Sequence, residues 1–206
     1  MSERFTGERK QLLRAAAITQ RKSLTSNDRR AWSALIQGKV LQFPPYVRSG
    51  SVALYSPIQN EVDTTTIRDH ALGSRKIVYY PRIRVRENCI ELLQVDSEES
   101  FKVGHLGVLE PIGERCLSAT EPTGLTILVP GVVFDCQGNR LGRGAGWYDR
   151  LLKEMGGNAT SVGLAYDFQI VGEVPSDSWD QRVDYVITER RIVDCAAARA
   201  QPSLAS

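Results

Sequence analysis

The sequence predicts an α/β fold in which helices cover both faces of a mixed, mostly parallel sheet. Three observations support this fold class. Short apolar runs typical of buried strands recur along the chain, and segments with helical spacing precede and separate them. The chain has 206 residues, of which 42% are hydrophobic and 24% charged, and this suits one large domain with one sizeable core.

Two helices are predicted to open the chain, over residues 8–22 and 28–42, because apolar residues recur there at helical spacing. The polar residues 23–27 suit a break and an N-cap between them. Pro44 and Pro45 end the second helix.

The next segment predicts a β-α-β unit. Residues 51–55 (SVALY) and 76–80 (KIVYY) are short apolar runs typical of buried strands, with a helix predicted between them over 62–72. Strands joined in this way are expected to be parallel. Two β-rich runs flank Glu87-Asn88 and indicate a hairpin, after which residues 96–123 are expected to be irregular.

The remaining elements complete the predicted domain. Residues 125–129 are a further buried strand, residues 148–155 an amphipathic helix, and residues 161–166 and 184–188 the last two strands. The chain shows neither an internal repeat nor a linker, so we expect a single domain over residues 1–195. The Ala/Ser/Pro-rich residues 196–206 are expected to form a flexible tail.

Composition argues against several classes of function. The formal net charge is +2 with scattered basic residues, unlike a general nucleic-acid binder. No apolar run is long enough to cross a bilayer, and the N-terminus lacks the apolar segment of a secretory signal. The four cysteines form no CxxC pair, so free thiols are expected. We therefore expect a cytoplasmic protein without nucleic-acid or membrane partners.

The segment RLGRGAGWYD, residues 140–149, predicts a phosphate-binding loop. Gly142, Gly144 and Gly146 let a ligand approach the backbone closely. The helix predicted directly afterwards has free amides and partial positive charge at its start. A tight glycine-rich turn without a ligand is the alternative. The segment fits neither the Walker loop nor the dinucleotide fingerprint.

Charged residues in the same segment favour phosphate. Arg140 and Arg143 carry guanidinium groups that pair with phosphate oxygens in bidentate fashion. Asp149 suits the helix dipole and could hold Mg²⁺ beside the phosphates. The alternative for either arginine is a salt bridge that braces the loop.

Residues 128–152, LVPGVVFDCQGNRLGRGAGWYDRLL, closely resemble the signature of the 5-formyltetrahydrofolate cyclo-ligases, also called 5,10-methenyltetrahydrofolate synthetases. Shorter segments match in place and order: KQLLR (10–14), YSPIQNEVDT (55–64), GHLGVLEP (104–111) and VPSDSWDQRVDYVIT (174–188). The resemblance implies a three-layer α/β/α domain similar to the sugar-phosphate isomerases and CoA-transferases.

The resemblance also implies a reaction. ATP, as co-substrate with Mg²⁺, phosphorylates the formyl oxygen of 5-formyltetrahydrofolate, after which N10 attacks and phosphate leaves. The products are 5,10-methenyltetrahydrofolate, ADP and phosphate. Such chemistry depends on positioning and charge stabilisation rather than on a protein nucleophile. The expected partner is this small-molecule substrate, bound by a monomer or small homo-oligomer.

The resemblance implies a nucleotide site on the first helix and the glycine loop. Its residues are Lys10, Arg14, Arg140, Leu141, Gly142, Arg143, Gly144, Gly146 and Tyr148. Lys10 and Arg14 are four residues apart and share one helical face, which from spacing alone could equally be a solvated charged face. Arg143 is the residue expected to be catalytic, by stabilising the transferring phosphoryl group.

The folate is expected to contact Glu61, whose carboxylate can accept hydrogen bonds from the pterin ring; the alternative is an acidic helix-start residue. Tyr55 and Trp147 are expected substrate contacts, and Tyr80 and Phe101 are further aromatic candidates, although each aromatic residue could instead pack in the core. Trp147 departs from the tyrosine usual in the family.

Asp149 and Asp180 are the expected Mg²⁺ ligands, and Asp184 competes with Asp180 for that role. Two other functions stay open. One is a folate- or nucleotide-binding paralogue without turnover, for which Trp147 is the argument. The other is a sugar-phosphate isomerase or CoA-transferase, which would need a catalytic carboxylate or acid-base pair and no ATP.

Overall fold

Twelve strands and six α-helices make up the part of the chain that the computed structural model describes, residues 2–97, 101–104, 107–117 and 124–200. The strands are β1 (Ser51–Ala53), β2 (Ile77–Arg84), β3 (Cys89–Gln94), β4 (Phe101–Val103), β5 (Leu109–Pro111), β6 (Leu125–Val129), β7 (Val133–Asp135), β8 (Arg140–Leu141), β9 (Ala159–Leu164), β10 (Ile170–Val171), β11 (Tyr185–Ile187) and β12 (Ile192–Asp194). The helices are α1 (Ser2–Lys22), α2 (Ser26–Gln42), α3 (Pro44–Arg48), α4 (Thr65–Gly73), α5 (Trp147–Met155) and α6 (Cys195–Ala200).

A seven-stranded sheet in the order β12-β11-β9-β6-β1-β2-β3 forms the middle layer. The five central strands are parallel, and β12 and β3 are antiparallel edge strands. The predicted β-α-β unit is confirmed, since β1 and β2 are parallel with Val52 opposite Val78 and α4 lies between them in sequence. The predicted hairpin is confirmed by the antiparallel pairing of β2 with β3.

Alternate residues of each central strand face opposite layers, as the period of a strand requires. In β1, Val52 packs in a core with α2, α3 and α4, whereas Ala53 packs in a second core with α5 and α6. Val78 and Tyr79 of β2 separate in the same way. Helices therefore cover both faces of a mixed, mostly parallel sheet, which confirms the predicted three-layer fold.

Helix α1 packs against a second, three-stranded sheet of order β10-β7-β8. Its apolar residues Leu13, Ala17 and Ile18 contact a small core that contains Val133 and Leu141. This packing matters for function because it holds the polar face of α1 beside the loop that follows β8.

Several predicted boundaries were wrong. Residues 161–166 and 184–188 are not the last two strands, since β10 lies between β9 and β11, and β12 follows β11. Strands β10 and β12, like β7 and β8, have two or three residues, too few to show a hydrophobic period. Helix α4 begins at Thr65 rather than residue 62, because the Asp63 carboxylate accepts the Thr65 amide at 3.0 Å and so holds the chain in an Asx turn just before the helix.

Part of the predicted flexible tail, 196–206, is helical. Helix α6 includes three consecutive alanines, which have high helix propensity, and the Ala197 amide donates to the Asp194 carboxylate at 2.9 Å. Residues 201–206 lie outside the described residues, as do 98–100, 105–106 and 118–123 of the segment predicted to be irregular. Within that segment, β4 and β5 pair as an antiparallel ribbon. None of the described helices is both long and apolar enough to cross a bilayer.

Candidate functional site

A cavity of about 370 Å³ lies between α1, the loop before α5 and the segment after β1. Apart from the further candidates Tyr80, Phe101 and Asp184, every residue predicted for the site lines it: Lys10, Arg14, Tyr55, Glu61, Arg140, Leu141, Gly142, Arg143, Gly144, Gly146, Trp147, Tyr148, Asp149 and Asp180. The structure thus brings the predicted residues together from four distant segments, while the role of each stays a prediction.

The glycine loop passes directly into α5. Gly144 has φ 103° and Gly146, the N-cap of α5, has φ 67°, conformations that residues with a Cβ rarely adopt. Because Gly146 has no side chain to cap the helix, the first amides of α5 remain available to an anion. A Cβ added at Gly142 or Gly144 would meet open space, so a ligand can approach the backbone there.

Arg140 braces the loop from beneath. Its side chain is buried, Nη2 donates to Asp149 Oδ1 at 3.0 Å and Nη1 donates to the Gln181 carbonyl. The Gln181 amide donates to the same Asp149 oxygen at 3.0 Å. Burial lowers the pKa of the Arg140 guanidinium and Asp149 opposes this change. The geometry of Arg140 matches the salt bridge that was the alternative to a phosphate contact.

Arg143 lies on the accessible side of the loop. Its side chain is 35% exposed, Nη1 donates to Gln59 Oε1 at 3.0 Å, and Nη2 donates to Glu61 Oε1 at 3.4 Å. The contact to Gln59 is exposed and the contact to the buried Glu61 is long, so both are weak and exchangeable. Arg143 can therefore leave Gln59 and Glu61 for a more strongly charged ligand.

Helix α1 contributes both of its predicted residues. Arg14 Nε donates to the Gly142 carbonyl at 2.9 Å, which fastens α1 to the loop. Lys10 Nζ bridges Asp177 Oδ2 at 2.6 Å and Asp180 Oδ2 at 2.9 Å. Burial works to lower the pKa of the Lys10 ammonium, but the two carboxylates outweigh it and raise the pKa above the ordinary value.

A tight turn presents Glu61 at the opposite end of the cavity. Gln59 and Asn60 have positive φ, and the Glu61 amide donates to the Ile58 carbonyl at 3.0 Å. The Ile58 amide in turn donates to Glu61 Oε2 at 3.1 Å. Burial raises the pKa of Glu61, while the positive charges of Arg21 and Arg143 oppose the rise.

Two tyrosines enclose the same end. Tyr55 is buried and its hydroxyl donates to the Val62 carbonyl at 2.9 Å, so this hydroxyl holds the turn that carries Glu61. Tyr148, in the first turn of α5, has its pKa raised by burial and then by the charge of Glu61. Both rings thus keep water from the Glu61 carboxylate, apart from the side that faces the cavity.

An apolar wall, which the sequence reasoning missed, completes this end of the cavity. It consists of Pro81, Ile83, Ile90 and Val108. Apart from their apolar character these residues carry no sequence signal for a binding role, and they come together only because β2 pairs with β3 and Val108 precedes β5.

Some of the aromatic candidates line the cavity, whereas others pack in the core. The Arg150 guanidinium lies 4.6 Å from the centre of the Trp147 ring and donates to the Ala145 carbonyl at 2.8 Å, so Trp147 also braces the loop. Tyr80 and Phe101 pack edge to face at 4.8 Å and are absent from the cavity lining in the described chain, which matches the core-packing alternative.

The three candidate metal ligands also separate. Asp149 and Asp180 line the cavity, whereas Asp184 Oδ2 accepts the Ser161 amide and hydroxyl, each at 2.8 Å, in the sheet. In the described residues no group of three or more His, Cys, Asp or Glu side chains could hold a metal ion. A Mg²⁺ ion bound beside phosphates needs only one or two carboxylates from the protein.

The donor set of Asp149 and Asp180 fits such an ion. Within the described chain, hydrogen bonds to Asp149 reach Oδ1 and those to Asp180 reach Oδ2, which leaves the second oxygen of each carboxylate for a ligand. Asp177, which the sequence reasoning missed, shares Lys10 with Asp180. The spacing of Asp177 and Asp180 in SDSWD was the available signal.

Comparison with known proteins gives one consistent family. A sequence model described as the 5-formyltetrahydrofolate cyclo-ligase family matches residues 6–189. The chain is 30% identical over 186 residues to the 5-formyltetrahydrofolate cyclo-ligase of Mus musculus, covering 86% of this chain and 92% of the mouse protein. It is 26% identical over 176 residues to the Escherichia coli protein of that name, covering 84% and 96%.

Solved structures agree with the sequence relatives. The NMR structure of Aquifex aeolicus 5,10-methenyltetrahydrofolate synthetase superposes with a TM-score of 0.78 and 36% identity, covering 96% of both chains. The Mycoplasma pneumoniae 5,10-methenyltetrahydrofolate synthetase, at 24% identity, superposes with a TM-score of 0.70 and covers 87% of this chain and 98% of its own, which supports the fold.

Proposed function

This chain belongs to the 5-formyltetrahydrofolate cyclo-ligase family, and we propose that it converts 5-formyltetrahydrofolate and ATP to 5,10-methenyltetrahydrofolate, ADP and phosphate. One observation carries the proposal beyond family membership. A single cavity joins a glycine loop at a helix start to a buried carboxylate and an apolar wall, and Arg143 lies between them. These are the two binding chemistries that the reaction needs side by side.

The nucleotide phosphates are proposed to lie on the glycine loop. The amides at the start of α5 and the positive end of its dipole attract an anion. Lys10 and Arg14 add positive charge from α1, and Arg140 holds the loop in shape through Asp149. The open space above Gly142 and Gly144 gives the phosphates room to approach.

The folate is proposed to lie along the apolar wall with its pterin ring directed toward Glu61. The ring faces of the folate gain from contact with the apolar side chains of Ile83, Ile90 and Trp147, while the polar edge of the pterin stays available for hydrogen bonds. The Glu61 carboxylate accepts hydrogen bonds from the pterin N–H groups, and charge-assisted bonds of this kind are stronger than neutral ones. Burial of Glu61 makes each of these bonds count for more.

Arg143 is proposed to act where the two ligands meet. The formyl oxygen attacks the γ-phosphorus, the bond to the β–γ bridging oxygen breaks, and ADP leaves. N10 then attacks the formyl carbon and loses its proton, the bond from that carbon to the phosphorylated oxygen breaks, and the ring closes as phosphate leaves with the oxygen and takes up the proton. Negative charge concentrates on the transferring group, and the guanidinium of Arg143, once it leaves Gln59 and Glu61, stabilises that charge.

Asp149 and Asp180 are proposed to hold Mg²⁺ through their remaining oxygens. When bound, the ion neutralises phosphate charge and orients the phosphates. When the ion is absent, the Lys10 ammonium partly neutralises the carboxylates of Asp177 and Asp180, because it binds both of them.

An assay of the purified chain tests the proposal. Methenyl product, followed by its absorbance, should form only when 5-formyltetrahydrofolate, ATP and Mg²⁺ are all present, and a non-hydrolysable ATP analogue should not support it. Binding of both ligands without product would favour the paralogue without turnover. ATP-independent activity on a phosphosugar or an acyl-CoA would instead indicate an isomerase or transferase.

A further inference from the structure

Arg21, at the end of α1, is one of the most deeply buried charged residues in the described chain. It is 2% exposed, and its Nη1 donates to the Gly131 carbonyl at 3.3 Å. Its Nη2 lies 3.7 Å from Glu61 Oε1. Glu61 and Arg21 are forty positions apart in sequence, so only the packing of α1 brings their charges together.

The backbone ties the same two segments. The Arg21 carbonyl accepts from Asn60 Nδ2 at 3.2 Å, so the end of α1 is fastened to the turn that carries Glu61. The positive φ of Asn60 (61°) marks a constrained backbone at that point. Arg21 and Glu61 therefore have little freedom to separate.

Two arginines share the Glu61 carboxylate, and they differ in freedom. Arg143 Nη2 lies 3.4 Å from the same Oε1 atom that faces Arg21, but the Arg143 side chain is 35% exposed and faces the cavity. Arg21 is buried and is not among the described residues that line the cavity. If Arg143 turns to the phosphoryl group, as the proposed function requires, Arg21 remains as the counter-charge of Glu61.

We propose that Arg21 is a positioning residue for the folate end of the cavity, whose fixed guanidinium keeps the Glu61 carboxylate ionised and in place when Arg143 moves to the phosphoryl group. This inference rests on the proposed function of Glu61 and Arg143. It adds a residue outside the cavity that acts on the substrate only through Glu61.

The incomplete hydrogen bonding of Arg21 supports a charge role over a packing role. Within the described chain, Nε and Nη2 of Arg21 are buried without a hydrogen-bond partner. Leaving such donors unsatisfied is costly, and replacement of a buried ion pair by apolar residues is often neutral or stabilising. An arginine retained at that cost is therefore explained by its charge beside Glu61.

The charged and titratable groups around Glu61 come from five segments. They are Arg21 of α1, Arg143 of the glycine loop, Tyr55 of the segment after β1, Tyr148 of α5, and Tyr166 after β9, whose hydroxyl donates to the Glu61 carbonyl at 3.4 Å. Burial raises the pKa of all three tyrosines, so they stay neutral at ordinary pH. Removal of Arg21 thus leaves Arg143 as the only positive charge in this described set.

The test compares Arg21→Met and Arg21→Lys with the wild-type full chain. Arg21→Met should raise the KM for 5-formyltetrahydrofolate about tenfold with the KM for ATP unchanged, because only the folate end loses its counter-charge. As pH falls, the KM for 5-formyltetrahydrofolate should begin to rise at a higher pH in Arg21→Met than in the wild type, since Glu61 protonates more easily without Arg21. Arg21→Lys keeps the charge and should restore most of the affinity and the wild-type pH profile.

Two further variants separate a charge effect from a folding effect. In a Glu61→Gln background, Arg21→Met should cause no additional rise in KM, because its effect passes through Glu61. Arg68→Met removes another largely buried arginine, paired with Asp69 outside the cavity, and should leave the KM for both ligands unchanged. Arg21→Gln, which keeps a donor for Gly131, replaces Arg21→Met if that variant does not fold.

The outcomes are distinguishable. A wild-type KM and pH profile in Arg21→Met, or an equal rise in the Glu61→Gln background, would overturn the role of Arg21 while leaving the proposed function intact. Absence of product from the wild-type chain would overturn the proposed function. In that case carbon NMR titration of the Glu61 carboxylate still decides the inference, because an unchanged titration in Arg21→Met would overturn it.

Discussion

The two ends of the cavity are built in different ways. The end proposed for phosphate is largely one continuous segment, residues 140–149, and the groups proposed to bind there are backbone amides and a helix dipole. The folate end combines side chains from β2, β3, the turn before α4 and the segment before β5. A site made of contiguous backbone is encoded locally, whereas a site made of distant side chains exists only after the sheet has formed.

Arg140 and Arg143 show the same contrast within one loop. They are three residues apart, yet the Arg140 side chain is 3% exposed and bound to Asp149, whereas that of Arg143 is 35% exposed and faces the cavity. Substitutions at the two positions should therefore affect different properties, stability at Arg140 and turnover at Arg143.

The largest expected effect is on turnover in Arg143→Ala. We expect kcat to fall about 10³-fold or more, because an arginine on a transferring phosphoryl group acts on charge that develops in the transition state. Its stability in urea should change by less than about 1 kcal/mol, since the contacts to Gln59 and Glu61 are partly exposed. Arg143→Lys should fall between, and near-normal turnover in Arg143→Ala would remove Arg143 from the mechanism.

Arg140→Met should reverse this pattern. Removal of one partner from a largely buried ion pair leaves the Gln181 carbonyl without its side-chain donor and Asp149 without its positive partner, so unfolding free energy should fall by roughly 2 to 3 kcal/mol. Urea denaturation measures the change. If Arg140→Met were as stable as the wild type but inactive, Arg140 would belong to the phosphate contacts instead of the brace.

Glu61→Gln tests the folate end. We expect about a tenfold rise in the KM for 5-formyltetrahydrofolate and no change for ATP, because one charge-assisted acceptor is lost. Burial raises the pKa of Glu61, so in the wild type the ionised acceptor is lost, and KM rises, as pH falls through a range above the ordinary glutamate value. Glu61→Gln should abolish this rise; persistence of the rise would assign it to another group.

The smallest effects are expected for alanine substitutions at two glycines of the loop, and each of these variants is a control for the other. Gly144→Ala forces a Cβ onto a backbone with φ 103° and should cost about 1 kcal/mol of stability. At Gly142 the backbone does not have a left-handed φ, and an added Cβ would contact no neighbouring atom, so Gly142→Ala should leave the stability unchanged. If phosphate lies over Gly142, the same substitution should raise the KM for ATP severalfold. An unchanged KM for ATP in Gly142→Ala would show that phosphate does not lie over Gly142.

Local pattern accounts for what could be predicted. The apolar periods of α2, β1, β2 and β6 gave the fold class, because a buried face repeats at the spacing of its own element. The short strands β7, β8, β10 and β12 carry no such period and were missed. In the site, Gly142, Gly144 and Gly146 were recognisable because glycine followed by a helix start is itself an anion-binding geometry.

The sequence by itself determined the three-layer fold, the family resemblance and the polar and glycine-loop residues predicted for the site, though not the apolar wall of the cavity or Asp177. Only the tertiary structure decided which of them are free to act, because that depends on contacts between distant residues. It paired Arg140 with Asp149, directed Asp180 to the cavity and Asp184 into the sheet, and set Arg21 beside Glu61. Burial and counter-charge arise from packing, and no local pattern records them.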